Sequence, residues 1–366
     1  MEQTKQHKRV EDINVSYEEA LNIAPPQLRE KIQHSVELIR KAEKIALKYD
    51  PENGFYNTFS GGKDSQALFY IVKMSGVKFQ THISYTSVDP AEVVRFVNTQ
   101  YPSVIPIRPK ISIYSRVIER GILPTKIVRW CCADFKESTG AGRVTLIGIR
   151  KEESTRRAKR HEVEVASRKF SGSLDEFEQW SADEIVRKQK LKPKRKINED
   201  EFSVQSDNEV RCINGKDSIL ISPIFEWTDK DVWYFLDNII KAPHCKLYDE
   251  GRARIGCILC PMASYRQKLE DIKRFPYVKY KWINAIKEIR RRGVIKEGFI
   301  WWSMPSDEFS GVAGTCHTSS GVHAGQYTED EIAEAIFDWW ISGKSYKQWY
   351  AERYLQLKID FNNEQE

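Results

Sequence analysis

Residues 55–65 read Phe55-Tyr56-Asn57-Thr58-Phe59-Ser60-Gly61-Gly62-Lys63-Asp64-Ser65, and their order is a strand, a glycine turn and the opening of a helix. The aromatic, β-favouring run 55–59 predicts the strand, and Ala67, Leu68, Ile71 and Val72 mark one face of the helix. At such a turn the first backbone N–H groups of the helix lack intrahelical partners, and together with the helix dipole they favour an anion. Two adjacent glycines allow backbone conformations and a close approach that a Cβ would block, while the Ser60 and Ser65 hydroxyls add donors. The string is not the GxxxxGK[ST] of a Walker loop, so chemistry at a γ-phosphate is not indicated. The plain alternative is a Gly-Gly turn with a Ser/Asp helix cap.

Outward from this loop the alternation recurs. Residues 82–86, 104–107, 144–149 and 219–224 have the length and apolar character of strands, and 90–99, 111–120 and 228–240 read as helices. The expected fold is therefore α/β: a mostly parallel twisted sheet with helices on both faces, carrying N-terminal and C-terminal helical additions. Three stretches follow. Residues 1–50 form an N-terminal helical segment, with Val36, Ile39, Ala42 and Ala46 at helical spacing after Pro25-Pro26. Residues 51–265 hold the α/β domain that carries the glycine loop, with a polar, basic insertion at 151–218 expected to lie beside the site and outside the sheet. Residues 266–366 are helical and rich in tryptophan and tyrosine.

The chain has 366 residues, of which 40% are hydrophobic and 30% charged. No apolar run approaches the roughly 18 residues of a membrane span, so a membrane is not expected as a partner. Met1 to Ile13 is polar and mixed in charge, unlike a secretion signal, and the expected location is the cytoplasm. In that reducing compartment the seven cysteines read as metal ligands or reactive thiols rather than a disulfide framework. The net charge of +6 is modest, but lysines and arginines crowd residues 156–196, from Arg156 and Arg157 to Arg195 and Lys196. That stretch suits contact with the phosphates of DNA or RNA. Interspersed Glu162, Glu164, Asp175 and Glu176 also allow a solvated surface insertion.

Ser60-Gly61-Gly62-Lys63-Asp64-Ser65 matches SGGxDS and resembles the PP-loop of ATP pyrophosphatases and sulfonucleotide reductases, the phosphoadenosine phosphosulfate (PAPS) reductase-like superfamily. The resemblance implies an adenine nucleotide α-hydrolase-like fold and extends along most of residues 52–265. Thr86-Ser87-Val88-Asp89-Pro90 lies where members of that group contact the nucleoside, which points to Thr86 and Asp89. Gly148-Ile149-Arg150-Lys151-Glu152-Glu153-Ser154, with Arg156 and Arg157, is similar to their GxRxxES segment, whose arginines bind the anionic end of the substrate. Pro223-Ile224, Trp227-Thr228 and Asp231-Val232-Trp233 resemble a P-I-x-x-W-T-x-x-D-V-W signature and read as architectural.

Cys131-Cys132, after Arg129-Trp130, and the distant Cys257-Ile258-Leu259-Cys260 resemble the ligand set of 4Fe–4S adenylylsulfate (APS) reductases, with Lys136 similar to a family lysine near the cluster. Two neighbouring cysteines strain to reach one cluster, so Cys245 is an alternative ligand. A four-cysteine zinc site and buried inert thiols also satisfy the spacing. The reductases attack sulfur with a cysteine in a C-terminal Glu-Cys-Gly-x-His segment, which this chain lacks; Cys316, beside His317, is the late thiol that could act as a nucleophile. A second branch, the ATP pyrophosphatase subunit of DNA phosphorothioation systems, combines a PP-loop with a cluster and also lacks that tail. On that branch ATP is cleaved between the α and β phosphates to adenylate an acceptor. Ser60, Gly61, Gly62 and Ser65 would hold pyrophosphate, Lys63 neutralise it, Asp64 orient the loop or hold Mg²⁺, and Arg150 and Arg157 clamp anionic oxygens. Implied partners are ATP or APS/PAPS and either a sulfur donor such as a cysteine desulfurase or a thiol reductant. The remaining reading is a non-catalytic protein that binds nucleotide and cluster.

Overall fold

A computed structural model describes residues 9–137, 139–165, 170–181, 219–293, 328–345, 348, 349 and 352. Its contacts group the chain into two compact units: residues 1–84, 91–107 and 138–255 form the first, and 85–90, 108–137 and 256–366 the second. The units thus interleave along the chain rather than follow its linear segments.

The first unit is built on a seven-stranded sheet: β1 (Phe55–Phe59), β2 (Phe79–Ser84), β3 (Ile105–Ile107), β4 (Val144–Leu146), β5 (Val163–Val165), β6 (Phe170–Gly172) and β7 (Ile219–Ile221). The spatial order is β3-β2-β1-β4-β7-β5-β6. The pairs β1–β2, β2–β3, β1–β4 and β4–β7 are parallel, with Phe55 opposite Phe79 and Tyr56 opposite Thr145. After β1 the chain builds β2 and β3 to one side and β4 and β7 to the other. The β1/β4 boundary is therefore a topological switch point, where an open α/β sheet forms a crevice beyond the carboxyl ends of its strands. β1 is buried along nearly its whole length, as a central parallel strand covered on both faces must be. One cover is the helix Pro26–Tyr49, which starts on the expected proline and buries Leu28, Ile32, Val36, Ile39, Ala42 and Ala46. Another is the helix Lys63–Ser75, buried almost all round and closed by Gly76 in the left-handed conformation.

The insertion departs from expectation. Residues 163–165 and 170–172 form an antiparallel hairpin that extends the sheet from β7, with Val163 and Val165 buried and Glu164 between them half-buried. Three-residue strands set among charges carry too short an alternation to stand out in sequence. Residues 166–169 and 182–218 lie outside the described residues, and with them most of the lysines and arginines of the basic stretch 156–196.

The second unit is helical. Helices Ile113–Arg120, Tyr265–Arg274, Pro276–Arg292 and Glu329–Ser342 surround a core that includes Val117, Leu123, Trp282, Ile286, Phe337 and Trp340. Trp282 and Trp340 meet at 4.6 Å between ring centroids, and Trp340 Nε1 donates to the Pro124 carbonyl at 2.6 Å. The described tryptophans of this region, Trp282, Trp339, Trp340 and Trp349, are thus core, as their large apolar area favours. Among the described residues no helix is long and apolar enough to cross a membrane.

Candidate active site and cysteine centre

Three neighbouring parallel strands deliver the first site, because β1 runs into Ser60–Gly62, β4 precedes Gly148–Arg150, and β7 leads to Asp229. Gly61 has φ +73°, and a Cβ there would lie 2.9 Å from Val97 and 3.0 Å from Val93. Only glycine fits both demands. Gly62 has an ordinary φ of −88°, so its value is clearance: a Cβ would stand 3.3 Å from the Tyr248 hydroxyl. Gly148 lets the segment after β4 press on the helix start, where a Cβ would meet the Asp64 carbonyl at 3.2 Å. The loop is tied by its own serines: the Ser60 N–H donates to Ser65 Oγ at 3.1 Å, and Ser65 Oγ donates to the Gly62 carbonyl at 2.8 Å.

Charge is concentrated just behind the loop. Lys63 and Arg150 are both buried, at 2% and 3% exposure. Isolated charges so placed would be costly, and each is paired. Lys63 Nζ lies 3.2 Å from Asp64 and 3.0 Å from Asp229. Arg150 donates to Asp64 at 2.7 Å, Asp229 at 2.8 Å, Glu152 at 3.3 Å and the Trp227 carbonyl at 3.4 Å. Burial works to raise the Asp229 carboxyl, but Lys63 and Arg150 outweigh it and hold the group below the usual carboxylate range. The Tyr248 hydroxyl accepts the Lys63 backbone N–H at 2.9 Å, and burial pushes that phenol up. Arg150, expected as a substrate clamp, contacts four protein acceptors here. Arg157 forms an ion pair with Glu153.

The second site lies wholly in the helical unit. Cys131 and Cys132 occupy a short helix, Trp130–Cys132, that continues as a π-helical turn over Ala133–Glu137 and carries Lys136. The other pair sits on a turn whose Leu259 has φ +56°, a conformation uncommon outside glycine. Three contacts hold that turn: Leu259 N–H to Asp271 Oδ2 at 2.9 Å, Ile258 N–H to the Val88 carbonyl at 2.8 Å, and Cys260 N–H to the Cys257 carbonyl at 3.3 Å. Asp271 is 1% exposed, so the brace is shielded from water. Donors face two of the sulfurs. Lys136 Nζ is 3.4 Å from Cys257 Sγ and Arg129 is 3.4 Å from Cys132 Sγ, while Thr86 Oγ1, whose proton goes to Asp89, lies 3.3 Å from Cys257 Sγ as an acceptor. The hydrogen bond from Cys131, with Arg129 and Lys136, pulls the Cys132 thiol down, while the same sulfur contact and burial push Cys131 up. Burial and Cys257 push Cys260 up. The sulfur of Cys257 in turn raises Lys136. All four cysteines are free thiols, and two of them, Cys132 and Cys257, face a cationic donor. Among the described residues no three His, Cys, Asp or Glu side chains converge to hold a single metal ion.

Thr86 and Asp89, expected at the nucleoside, belong to this unit. The Asp89 carboxylate accepts the Thr86 N–H at 2.6 Å and its hydroxyl at 3.1 Å, and thereby orients Thr86 toward Cys257. Cys245 belongs to the first unit, 1% exposed, with burial raising its thiol. Cys316 lies outside the described residues.

The phosphoadenosine phosphosulfate reductase domain model matches residues 55–263, a span that contains the loop, Arg150, Asp229 and all four paired cysteines. The chain belongs to this family. Two curated relatives, both from Methanocaldococcus jannaschii, are the uncharacterized proteins MJ0066 and MJ0973. MJ0066 is 28% identical over 66% of this chain and 43% of its own length; MJ0973 is 24% identical over 76% and 60%. The chain thus spans about half the length of these relatives. Among solved structures, Candida glabrata FMN adenylyltransferase with FAD and inorganic pyrophosphate is similar at TM-score 0.37 and 13% identity, covering 69% of this chain and 74% of that one. Candida auris PAPS reductase in a phosphate complex is similar at TM-score 0.35 and 16% identity, covering 64% and 96%.

Within this member of the PAPS reductase family, sequence reasoning missed Asp229, Tyr248 and Asp271. Asp229 carried a signal, since it sits beside Thr228 at a helix start after a strand, but it was absorbed into a capping stretch. Tyr248 and Asp271 carried none, because each acts through a partner far away in sequence.

Proposed function

We propose that the chain is a PP-loop adenine-nucleotide enzyme that cleaves ATP between the α and β phosphates, adenylates an oxygen of an acceptor, and so prepares that position for sulfur. The observation that carries this reading is the glycine loop at the switch point, set against a cluster in which the buried Lys63 and Arg150 meet Asp64 and the half-exposed Asp229. An acceptor oxygen attacks the α-phosphorus in line, the α–β bridging P–O bond breaks, and its electron pair leaves with pyrophosphate. Main-chain N–H groups of 61–65 and the Ser60 and Ser65 hydroxyls would hold that leaving group. The Lys63 ammonium would neutralise it. Arg150 keeps Asp64 and Asp229 oriented. Those two carboxylates offer the oxygen ligands that Mg²⁺ prefers, and the ion would offset phosphate charge. The adenylated oxygen is then open to replacement by sulfur from a donor protein, with release of AMP.

Cys131, Cys132, Cys257 and Cys260 would hold a 4Fe–4S cluster, which would supply electron transfer or sulfur activation in the same cycle. A tetrahedral zinc site needs its four sulfurs about 2.3 Å from one point, whereas cluster ligands bind separate irons.

The test is anaerobic incubation of the purified chain with ATP, APS and PAPS separately, with candidate acceptors added to the ATP arm, followed by product analysis and visible spectroscopy. Pyrophosphate from ATP, abolished by Gly61→Val, is the expected result. Sulfite from APS or PAPS would replace this reading with the reductase, and nucleotide binding without turnover in any arm would replace it with a sensor.

A further inference from the structure

Three hydroxyls meet the glycine loop, and each of them accepts a loop amide. The Ser60 N–H goes to Ser65 Oγ at 3.1 Å, the Gly62 N–H to Ser60 Oγ at 3.4 Å, and the Lys63 N–H to the Tyr248 hydroxyl at 2.9 Å. A hydroxyl that accepts a hydrogen bond still has its own proton to give. Two of those protons turn back into the loop: Ser60 Oγ donates to Ser65 Oγ at 3.1 Å, and Ser65 Oγ to the Gly62 carbonyl at 2.8 Å. The Tyr248 proton does not, and among the described residues no acceptor takes it.

The phenol is fixed in place. Its ring meets Trp233 edge-on at 5.0 Å between centroids and His244 at 5.8 Å. The main chain around it closes on itself, with the Tyr248 N–H donating to the Cys245 carbonyl and the Gly251 N–H to the Tyr248 carbonyl, both at 3.0 Å. The hydroxyl stands beside Gly62, 3.3 Å from where a Cβ on that residue would be. Burial pushes the phenol up, and Asp64 and Asp229 push it the same way against the Lys63 amide, so the proton stays on the oxygen at neutral pH. A hydroxyl that accepts a peptide N–H is polarised, which makes it a better donor. At the head of a helix it carries the positive end of that amide outward by one group.

We propose that Tyr248 is a phosphate-binding residue: its hydroxyl stays on the Lys63 amide and donates its proton to a phosphoryl oxygen of the bound nucleotide. This inference rests on the loop being the phosphate site, as in the reading above, and adds to it a donor from outside the loop. The Lys63 amide then acts through the phenol rather than by direct contact. The competing role is a cover, in which Tyr248 occupies the amide until a phosphate displaces it. The two roles predict opposite signs. Removing the hydroxyl of a donor deletes a contact and weakens binding, whereas removing that of a cover releases the amide and leaves binding as tight or tighter.

The experiment is isothermal titration calorimetry of ATP and of inorganic pyrophosphate with the full chain, as wild type and as Tyr248→Phe. The variant keeps the ring against Trp233 and His244, and urea unfolding checks its fold. The expected result is binding of both ligands weakened by roughly tenfold or more, since a hydrogen bond to a charged group is lost. Unchanged or tighter binding by the variant overturns the role of Tyr248 and leaves the loop reading standing. Failure of the wild type to bind either ligand removes the loop reading and this inference with it. Independently of any variant, a structure of the wild-type chain with pyrophosphate bound should show the Tyr248 hydroxyl still on the Lys63 amide and about 2.5–2.7 Å from a phosphoryl oxygen. A hydroxyl swung away from Lys63 would overturn the donor role.

Discussion

The glycine loop and the cysteine turn are both backbone devices that present groups to a ligand, yet they are stabilised in opposite ways. Behind the loop every buried charge has an opposite charge beside it: Lys63 and Arg150 share Asp64 and Asp229. At the cysteines two sulfurs face cationic donors at 3.4 Å, and the turn itself is held in an uncommon conformation by the buried Asp271. A closed ion-pair cluster is complete before substrate arrives, so the loop's shape does not wait for a phosphate. Thiols beside cationic donors are favoured as thiolates, so that arrangement is complete only when the sulfurs are negative.

Removing one member of the ion-pair cluster should have the largest effect. Arg150→Met leaves Asp64 and Asp229 with Lys63 alone and should cost about 3 kcal/mol in urea unfolding, with loss of ATP turnover. A loss below about 1 kcal/mol would mean that the cluster is not the brace described. At the other site, Asp271→Ala strands the Leu259 N–H and should cost about 1–3 kcal/mol. Its sharper readout is spectroscopic, because visible absorbance of the anaerobically loaded protein should decay faster under a chelator than in wild type. Unchanged decay would separate Asp271 from the cysteine turn. The smallest effect is seen only through pH. His82 stacks on Tyr56 at 4.2 Å between centroids, and burial, with Arg143, pushes its pKa down to about 4. Between about pH 6.5 and 4 the unfolded chain takes up a proton that the folded one does not, so His82 makes stability fall as pH falls through that window. His82→Phe keeps a stacked ring and should flatten the profile there; an identical profile would exclude His82 as its source.

Much of the first site was legible because its signals are local. The strand, the glycines and the helix of 55–72 follow one another along the chain, and all five parallel-paired strands lie at or near the segments their apolar runs marked. The hairpin 163–172 was hidden by its brevity. Thr86 and Asp89 were placed by resemblance at the nucleoside, and only contacts reveal the Thr86 hydroxyl at Cys257. Trp227 was read correctly as architectural: it is 1% exposed, and its indole N–H donates to Ser35 Oγ at 3.1 Å.

By itself the sequence determined the α/β alternation, the anion-favouring loop and the two cysteine pairs, because periodicity, glycine and short spacings act between near neighbours. Tertiary structure alone decided that Asp229 joins Asp64 around Arg150, that Tyr248 covers the Lys63 amide and that Asp271 holds the cysteine turn. Each of those contacts spans from 12 to 185 residues of chain, or joins strands that meet only when the sheet reverses its order. Pairing over such separations is set by packing, and no local pattern encodes it.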